Sequence, residues 1–177
     1  MGEIKKFEKE KLVVGVLISH LDSLESLKGE LIRLWGGIDL ETDPVEFTYT
    51  HYYDLEMGTP IYRCFFSFKE LIEPDDLPDI KIRTNDIELE YVSETGRTIN
   101  LDPGILSLSK FILATTKNNV HRIPIRKGIY GEVTLQFKDR DFHPLEWTYP
   151  DFQGRENRDI LIKIRDMYKL QRKESGA

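Results

Sequence analysis

The run KLVVGVLIS at residues 11–19 constrains the fold more than any other stretch of the chain. Residues 12–18 carry no polar side chain, and four of them are β-branched. Such a run reads as a strand. Successive side chains of a strand point to opposite faces, so this one must be covered on both. Its sheet then needs one packed layer above and another below. The next residues supply one layer. In DSLESLKGELIRLWGG, Leu24, Leu27, Leu31 and Leu34 fall at helical spacing with Trp35 beside them. Asp22 with Glu25 fits a capping box, and Gly36–Gly37 ends the helix.

Further strands follow. VEFTYTHYYD (45–54) alternates, and IYRCFFSFK (61–69) places Tyr62, Cys64, Phe66 and Phe68 on one face, so the two are expected to pair as a hairpin. After a loop marked by Pro74 and Pro78, Ile80, Ile87 and Tyr91 make a helical stripe, although Ile87, Leu89 and Tyr91 also alternate. The helix is taken here, followed by a short strand at 97–101 after a Thr95–Gly96 turn. The order β-α-β-β-α-β is that of a ferredoxin-like core.

From Asp102, a cap followed by Pro103, the residues Ile105, Leu108 and Ile112 suggest a helix ending at Asn118 or Asn119. VHRIPI and GIYGEVTLQFK suit a hairpin around Arg126-Lys127-Gly128. In its second strand, Ile129, Gly131, Val133, Leu135 and Phe137 are expected on one face, with Tyr130, Glu132, Thr134 and Gln136 on the other. FHPLEWTYPDF reads as irregular, and NRDILIKIRDMYKL as a last helix with Ile160, Ile164 and Met167 on one side. The expected fold class is α+β: a ferredoxin-like βαββαβ core with a C-terminal helix–hairpin–helix extension. It forms a single domain over 1–177, with the core in 1–101 and the extension, 102–177, packed on the sheet.

Charge is spread unevenly. Residues 1–96 hold 10 Lys/Arg against 21 Asp/Glu, whereas residues 97–138 hold 7 against 2. A net charge of −6 argues against general nucleic-acid binding, which needs phosphate neutralisation. The basic central block still suits one small anion. The charged start MGEIKKFEKEK lacks the apolar run of a signal peptide, and no apolar stretch approaches membrane length. The single cysteine, Cys64, is expected to be a buried thiol in a reducing cytoplasm, with no membrane involved.

Four polar clusters are candidates for chemistry. ATTKNNVHR (114–122) offers Thr116, Lys117, His121 and Arg122 as a clamp for phosphate or carboxylate, joined by Lys110. Read structurally, it is a helix end followed by a strand start, where lysine complements the dipole and asparagine tolerates left-handed backbone. His51 and Asp54 in THYYD converge as an acid/base pair or two metal ligands only if the strand ends near Tyr53; otherwise the tyrosine-rich strand end serves packing and hydrogen bonding. Glu132 suits a general base or cation contact, with Tyr130 beside it to position a ligand. In WTYPD, Trp147, Tyr149 and Asp151 suit a pocket lid or a loop that seals the core edge. Motifs for phosphate loops, dinucleotide folds, zinc peptidases, paired cysteines and nucleophile elbows are absent. The four histidines, His20, His51, His121 and His143, have no metal-ligand spacing, so no metal is expected, and the sequence names no cofactor either way.

The ordered segments NLDPG (100–104), LATTK (113–117), HRI (121–123), GIYGEVTL (128–135) and WTYPD (147–151) resemble those of the bacterial and archaeal "domain of unknown function 4416" proteins. The resemblance runs from the first strand to about Asp151 and brings no established activity with it. Some members carry a GTP-binding label, and Thr116-Lys117-Asn118 is similar to the start of a guanine-reading T-K-x-D signature. Here Asn119 stands where that signature has aspartate. The expectation is a protein that binds a small anionic ligand, a nucleotide or phosphorylated metabolite. The alternatives are a non-catalytic interaction or self-assembling domain (a homo-oligomer), and an enzyme using His51 or His121 with Glu132.

Overall fold

The computed structural model describes residues 2–94 and 96–174. Among these residues nine strands form one antiparallel sheet: β1 (Glu10–Ile18), β2 (Ile38–Glu41), β3 (Val45–Glu46), β4 (Tyr62–Ile72), β5 (Ile99–Leu106), β6 (Lys110–Thr115), β7 (Ile123–Arg126), β8 (Ile129–Lys138) and β9 (Asp141–Pro144). The order is β2-β4-β1-β5-β6-β8-β7, with β3 also on β4 and β9 also on β8. The helices are α1 (Leu24–Trp35), α2 (Asp54–Met57), α3 (Leu77–Glu90), α4 (Pro150–Gln153) and α5 (Arg155–Glu174). The fold class is α+β. No helix among the described residues is long and apolar enough to cross a membrane.

β1 is covered on both faces, as its composition requires. On the first face Leu12, Val14, Val16 and Ile18 meet Cys64, Phe66 and Phe68 of β4, beneath Leu27 and Leu31 of α1 and Ile80 and Ile87 of α3. On the second face Val13, Phe65, Leu106 and Phe111 lie beneath Phe152, Leu161, Ile164 and Tyr168. Each fully buried apolar side chain contributes roughly 1.5–3 kcal/mol. Cys64 is a buried thiol, and burial pushes its pKa up to about 12.

Several expectations change. α1 starts at Leu24 behind a one-turn 3-10 segment, and no side chain caps it, so the Asp22–Glu25 capping box does not form. The hairpin expected from 45–54 survives only as Val45 and Glu46 opposite β4; β2 takes the rest of that edge. Beyond it, Phe47 and Tyr53 turn inward against Leu17, Met57 and Ile61. Thr95 of the expected turn lies outside the described residues.

The largest correction concerns the extension. Its first helix does not exist: β5 and β6 occupy that segment and widen the sheet rather than lie on it. The spacing of Ile105, Leu108 and Ile112 is helical, but Ser107 breaks it. Its hydroxyl accepts from the backbone N–H groups of Ser109 and Lys110, which fastens a tight turn. Gly104 then lets β6 come close, because a Cβ there would sit 2.6 Å from the Ile112 carbonyl oxygen. The β7–β8 hairpin forms as expected, with Lys127 (φ 54°) and Gly128 (φ 78°) in a two-residue turn. α5 follows as expected and covers the second face.

β8 carries a bulge that periodicity alone does not show. Phe111 faces Leu135, but Ile112 faces Val133, so Thr134 is one residue extra. Leu113 faces Glu132 directly. Glu132 and Leu135 therefore share the second face, against the simple alternation.

Candidate functional site

β5 and β6 pair only through Gly104–Leu106, then separate. Pro103 stands where the separation begins, and its missing N–H needs no partner on that side. The backbone freed by the split is satisfied by side chains. Leu101 N–H donates to Glu88 Oε1 (2.7 Å), and Lys81 Nζ donates to the Leu101 carbonyl (2.8 Å). Two residues of α3 thus stand in for the departed strand. Burial pushes the Glu88 carboxyl up, and Lys81 opposes this.

The split opens into a cleft of two contiguous cavities, about 190 and 410 Å³, which share Tyr53, Asp102, Leu113, Lys117 and Tyr149 as walls. The larger cavity has the size of a small-ligand pocket, and the smaller one extends it. The smaller cavity is polar and takes Lys81, Asn85, Arg97, Asn100, Thr116 and Glu132. The larger is aromatic, with Phe47, Tyr49, Tyr52 and Phe152 around Arg63.

Arg63 is the centre of the floor. Its Nη1 donates to Asp102 (3.1 Å) and its Nη2 to Asp151 (2.7 Å). To reach Asp102 the guanidinium crosses β1 over Gly15, where a Cβ would stand 2.8 Å from Nη1. The rings of Phe47, Phe65 and Phe152 surround it at 5.4–5.7 Å. Its Nε is buried without a hydrogen-bond partner. Asn100 donates to the other oxygen of Asp102 (3.1 Å). Burial pushes the Asp151 carboxyl above its ordinary value, and Arg63 opposes this. Burial, together with the charge of Asp102, also raises the Tyr53 phenol.

A second network holds the far wall. Glu132, fully buried, receives Arg122 Nε (2.8 Å) and lies 3.0 Å from His121 Nε2. Arg122 also donates to Tyr149 Oη (2.7 Å) and to the Lys117 carbonyl (3.0 Å). Trp147 stacks on His121 with centroids 4.9 Å apart and donates to the Val133 carbonyl. Lys117 closes the lip: its Nζ donates to Tyr52 Oη (3.2 Å) and sits over that ring.

A family model described as "Domain of unknown function (DUF4416)" matches residues 8–168. The chain belongs to the DUF4416 family. No curated protein and no solved structure matches it significantly.

On this DUF4416 chain the expected site residues divide. Thr116, Lys117 and Glu132 line the cleft. His121, Arg122 and Trp147 support it from behind, because the donors of His121 and Arg122 are engaged by Glu132, Tyr149 and the Lys117 carbonyl. Thr115 to Lys117 form a strand end and turn rather than a last helical turn. Lys110 is misplaced: it stands at the opposite end of β6, facing Gln136. Tyr130 faces Thr115 but does not line the cleft. His51 and Asp54 do meet, at 2.7 Å, because the strand ends early. The His51 side chain is 94% exposed, however, and neither residue lines the cleft.

Arg63, Asn100 and Asp102 are the residues that periodicity missed. Asp102 lies in β5 rather than capping a helix. The available signal was NLDPG, whose polar residues sit on a strand buried almost throughout. Among the described residues no three His, Cys, Asp or Glu side chains form a metal-binding group.

Proposed function

We propose that the chain binds a small anionic ligand, a nucleotide or phosphorylated metabolite, in the split between β5 and β6. Convergence carries this reading. NLDPG, LATTK, HRI, GIYGEVTL and WTYPD, on successive strands and loops between residues 100 and 151, each supply a wall of the cleft or the support of one, and residues from before residue 64 (Tyr53 and Arg63) close it from the other side. Lys117 brings the charge, the hydroxyls of Thr115 and Thr116 bring hydrogen bonds, and Tyr53 and Tyr149 bring ring surface. The anion clamp is narrower than the sequence suggested, since Arg122 is committed to Glu132.

The reading extends to the scaffold. The run β2-β4-β1-β5, with α1 and α3 against one face, supports a ferredoxin-like core widened by the later strands. One continuous sheet supports a single domain over 1–177. The lone buried thiol accords with a cytoplasmic location.

A thermal-shift screen tests the binding. The panel holds nucleoside mono-, di- and triphosphates, sugar phosphates and simple anions, with and without Mg²⁺. A ligand at 100 times its Kd adds about 2.7 kcal/mol. The expected result is a selective shift that Lys117→Ala removes. A shift unchanged in that variant, or no shift with any ligand, overturns the reading.

Self-assembly has one observation in its favour: β7 ends the sheet, with Ile123 and Ile125 exposed. Light scattering across a salt series tests it, and a monomer throughout excludes it. Of the two enzyme pairings, only His121 with Glu132 has contact geometry; a bell-shaped pH–rate profile is its signature.

A further inference from the structure

The ion pairs around the cleft do not balance everywhere. Lys81 and Arg97 are matched by Glu88 and Glu56. Arg122 matches Glu132. Arg63, however, faces two carboxylates, Asp102 and Asp151, so the floor keeps one negative charge among the described residues. Lys117 at the lip makes no ion pair among the described residues, and its Nζ donates to the neutral Tyr52 hydroxyl and sits over that ring. The cleft is therefore dipolar: negative at the floor and positive at the lip, with Tyr53 and Tyr149 between.

Of the two floor carboxylates, Asp102 is the accessible one. Its side chain is 27% exposed against 5% for Asp151, and it borders both cavities. Arg63 takes one oxygen and Asn100 the other. A carboxylate has about four acceptor sites, so roughly two remain for a ligand. Arg63 is not free to turn toward an incoming anion, because two carboxylates and three aromatic rings hold it. An anion on this floor would add to an existing negative excess in a poorly hydrated place.

The geometry points to a dipolar ligand, with a planar cationic or N–H-donating head, such as an amidine or aminated ring, on Asp102 and an oxyanion tail at Lys117. This rests on the binding function proposed above and adds the chemistry of the end that Lys117 does not reach. The tyrosines take the ring between the two ends.

Three simple probes test it on the full chain by NMR titration. Benzamidine represents the head, phenyl phosphate the tail, and benzyl alcohol a neutral ring. Benzamidine is expected to bind about tenfold more tightly than benzyl alcohol, as a charge-assisted contact requires. Asp102→Asn lowers its affinity about tenfold and leaves phenyl phosphate within about twofold; Lys117→Gln does the reverse. Equal binding of benzamidine and benzyl alcohol overturns the assignment, and so does benzamidine binding that Asp102→Asn leaves unchanged. Should Asp102→Asn fail to fold, the comparison on the parent chain decides. Lys117-dependent phenyl phosphate binding without benzamidine binding removes the head assignment and keeps the anion site. Silence from both probes removes both.

Discussion

Two cations are buried on the same face of the sheet, Lys11 at one end and Arg63 at the other. Lys11 ion-pairs with Asp39 and donates to Gln171 Oε1 (2.8 Å), and Ser67 donates to the second Asp39 oxygen (2.6 Å). Burial pulls the Lys11 pKa down, and Asp39 pushes it back. One cation ion-pairs with one anion there, with the Glu70 carboxylate acting from beyond ion-pair distance, under a 20-residue helix that supplies Gln171. Arg63 meets two anions, beside a four-residue helix and open space. The first site is covered and paired one to one. The second is unbalanced and borders a cavity. Burial of charge does not itself mark function; imbalance next to a cavity does.

The largest effect should come from breaking the unbalanced end. Arg63→Leu leaves two carboxylates without their cation and should cost about 3–5 kcal/mol in urea unfolding. Lys11→Met should cost somewhat less, roughly 3 kcal/mol, since only Asp39 is stranded. The double change Lys11→Met with Asp39→Leu should regain most of that loss, because a covered pair is replaceable by apolar packing. A double variant no more stable than Lys11→Met would show that the two ends are alike. Gly15→Ala comes next, at about 1–3 kcal/mol, because its methyl meets a guanidinium that cannot move aside.

A smaller effect is read from pH. Burial holds the Asp151 carboxyl above its ordinary 3.8, against the pull of Arg63. The folded chain then holds this proton more tightly than the unfolded chain. Its contribution is full below 3.8 and is lost as pH rises through the raised folded value. The unfolding free energy of the parent minus that of Asp151→Asn should therefore fall as pH rises above 3.8, and a difference that rises would refute the assignment. The smallest effect on stability belongs to the rim: Lys117→Ala should stay within about 0.5 kcal/mol while losing ligand-induced stabilisation.

Much of the scaffold was legible. β1, α1, α3, the β7–β8 turn and α5 are set by local periodicity and by residues such as Gly36 and Gly128, whose positive φ suits glycine. The site was legible only in part. Thr116, Lys117 and Glu132 were found because they cluster with other polar residues near in sequence. Arg63 was not, because its partners Asp102 and Asp151 are 39 and 88 residues away. The first helix of the extension was misread because helical spacing in Ile105, Leu108 and Ile112 outweighed the turn made by Ser107.

By itself, then, the sequence determined that β1 is a strand with two covered faces and that α1, α3 and α5 are helices, because burial acts residue by residue along a periodic backbone. Only the tertiary structure decided where β5 and β6 part, that Thr134 bulges, and that Glu132 turns inward. Those outcomes depend on register and strand pairing, and no local pattern encodes them. The cleft and its charge imbalance exist only once that pairing is made.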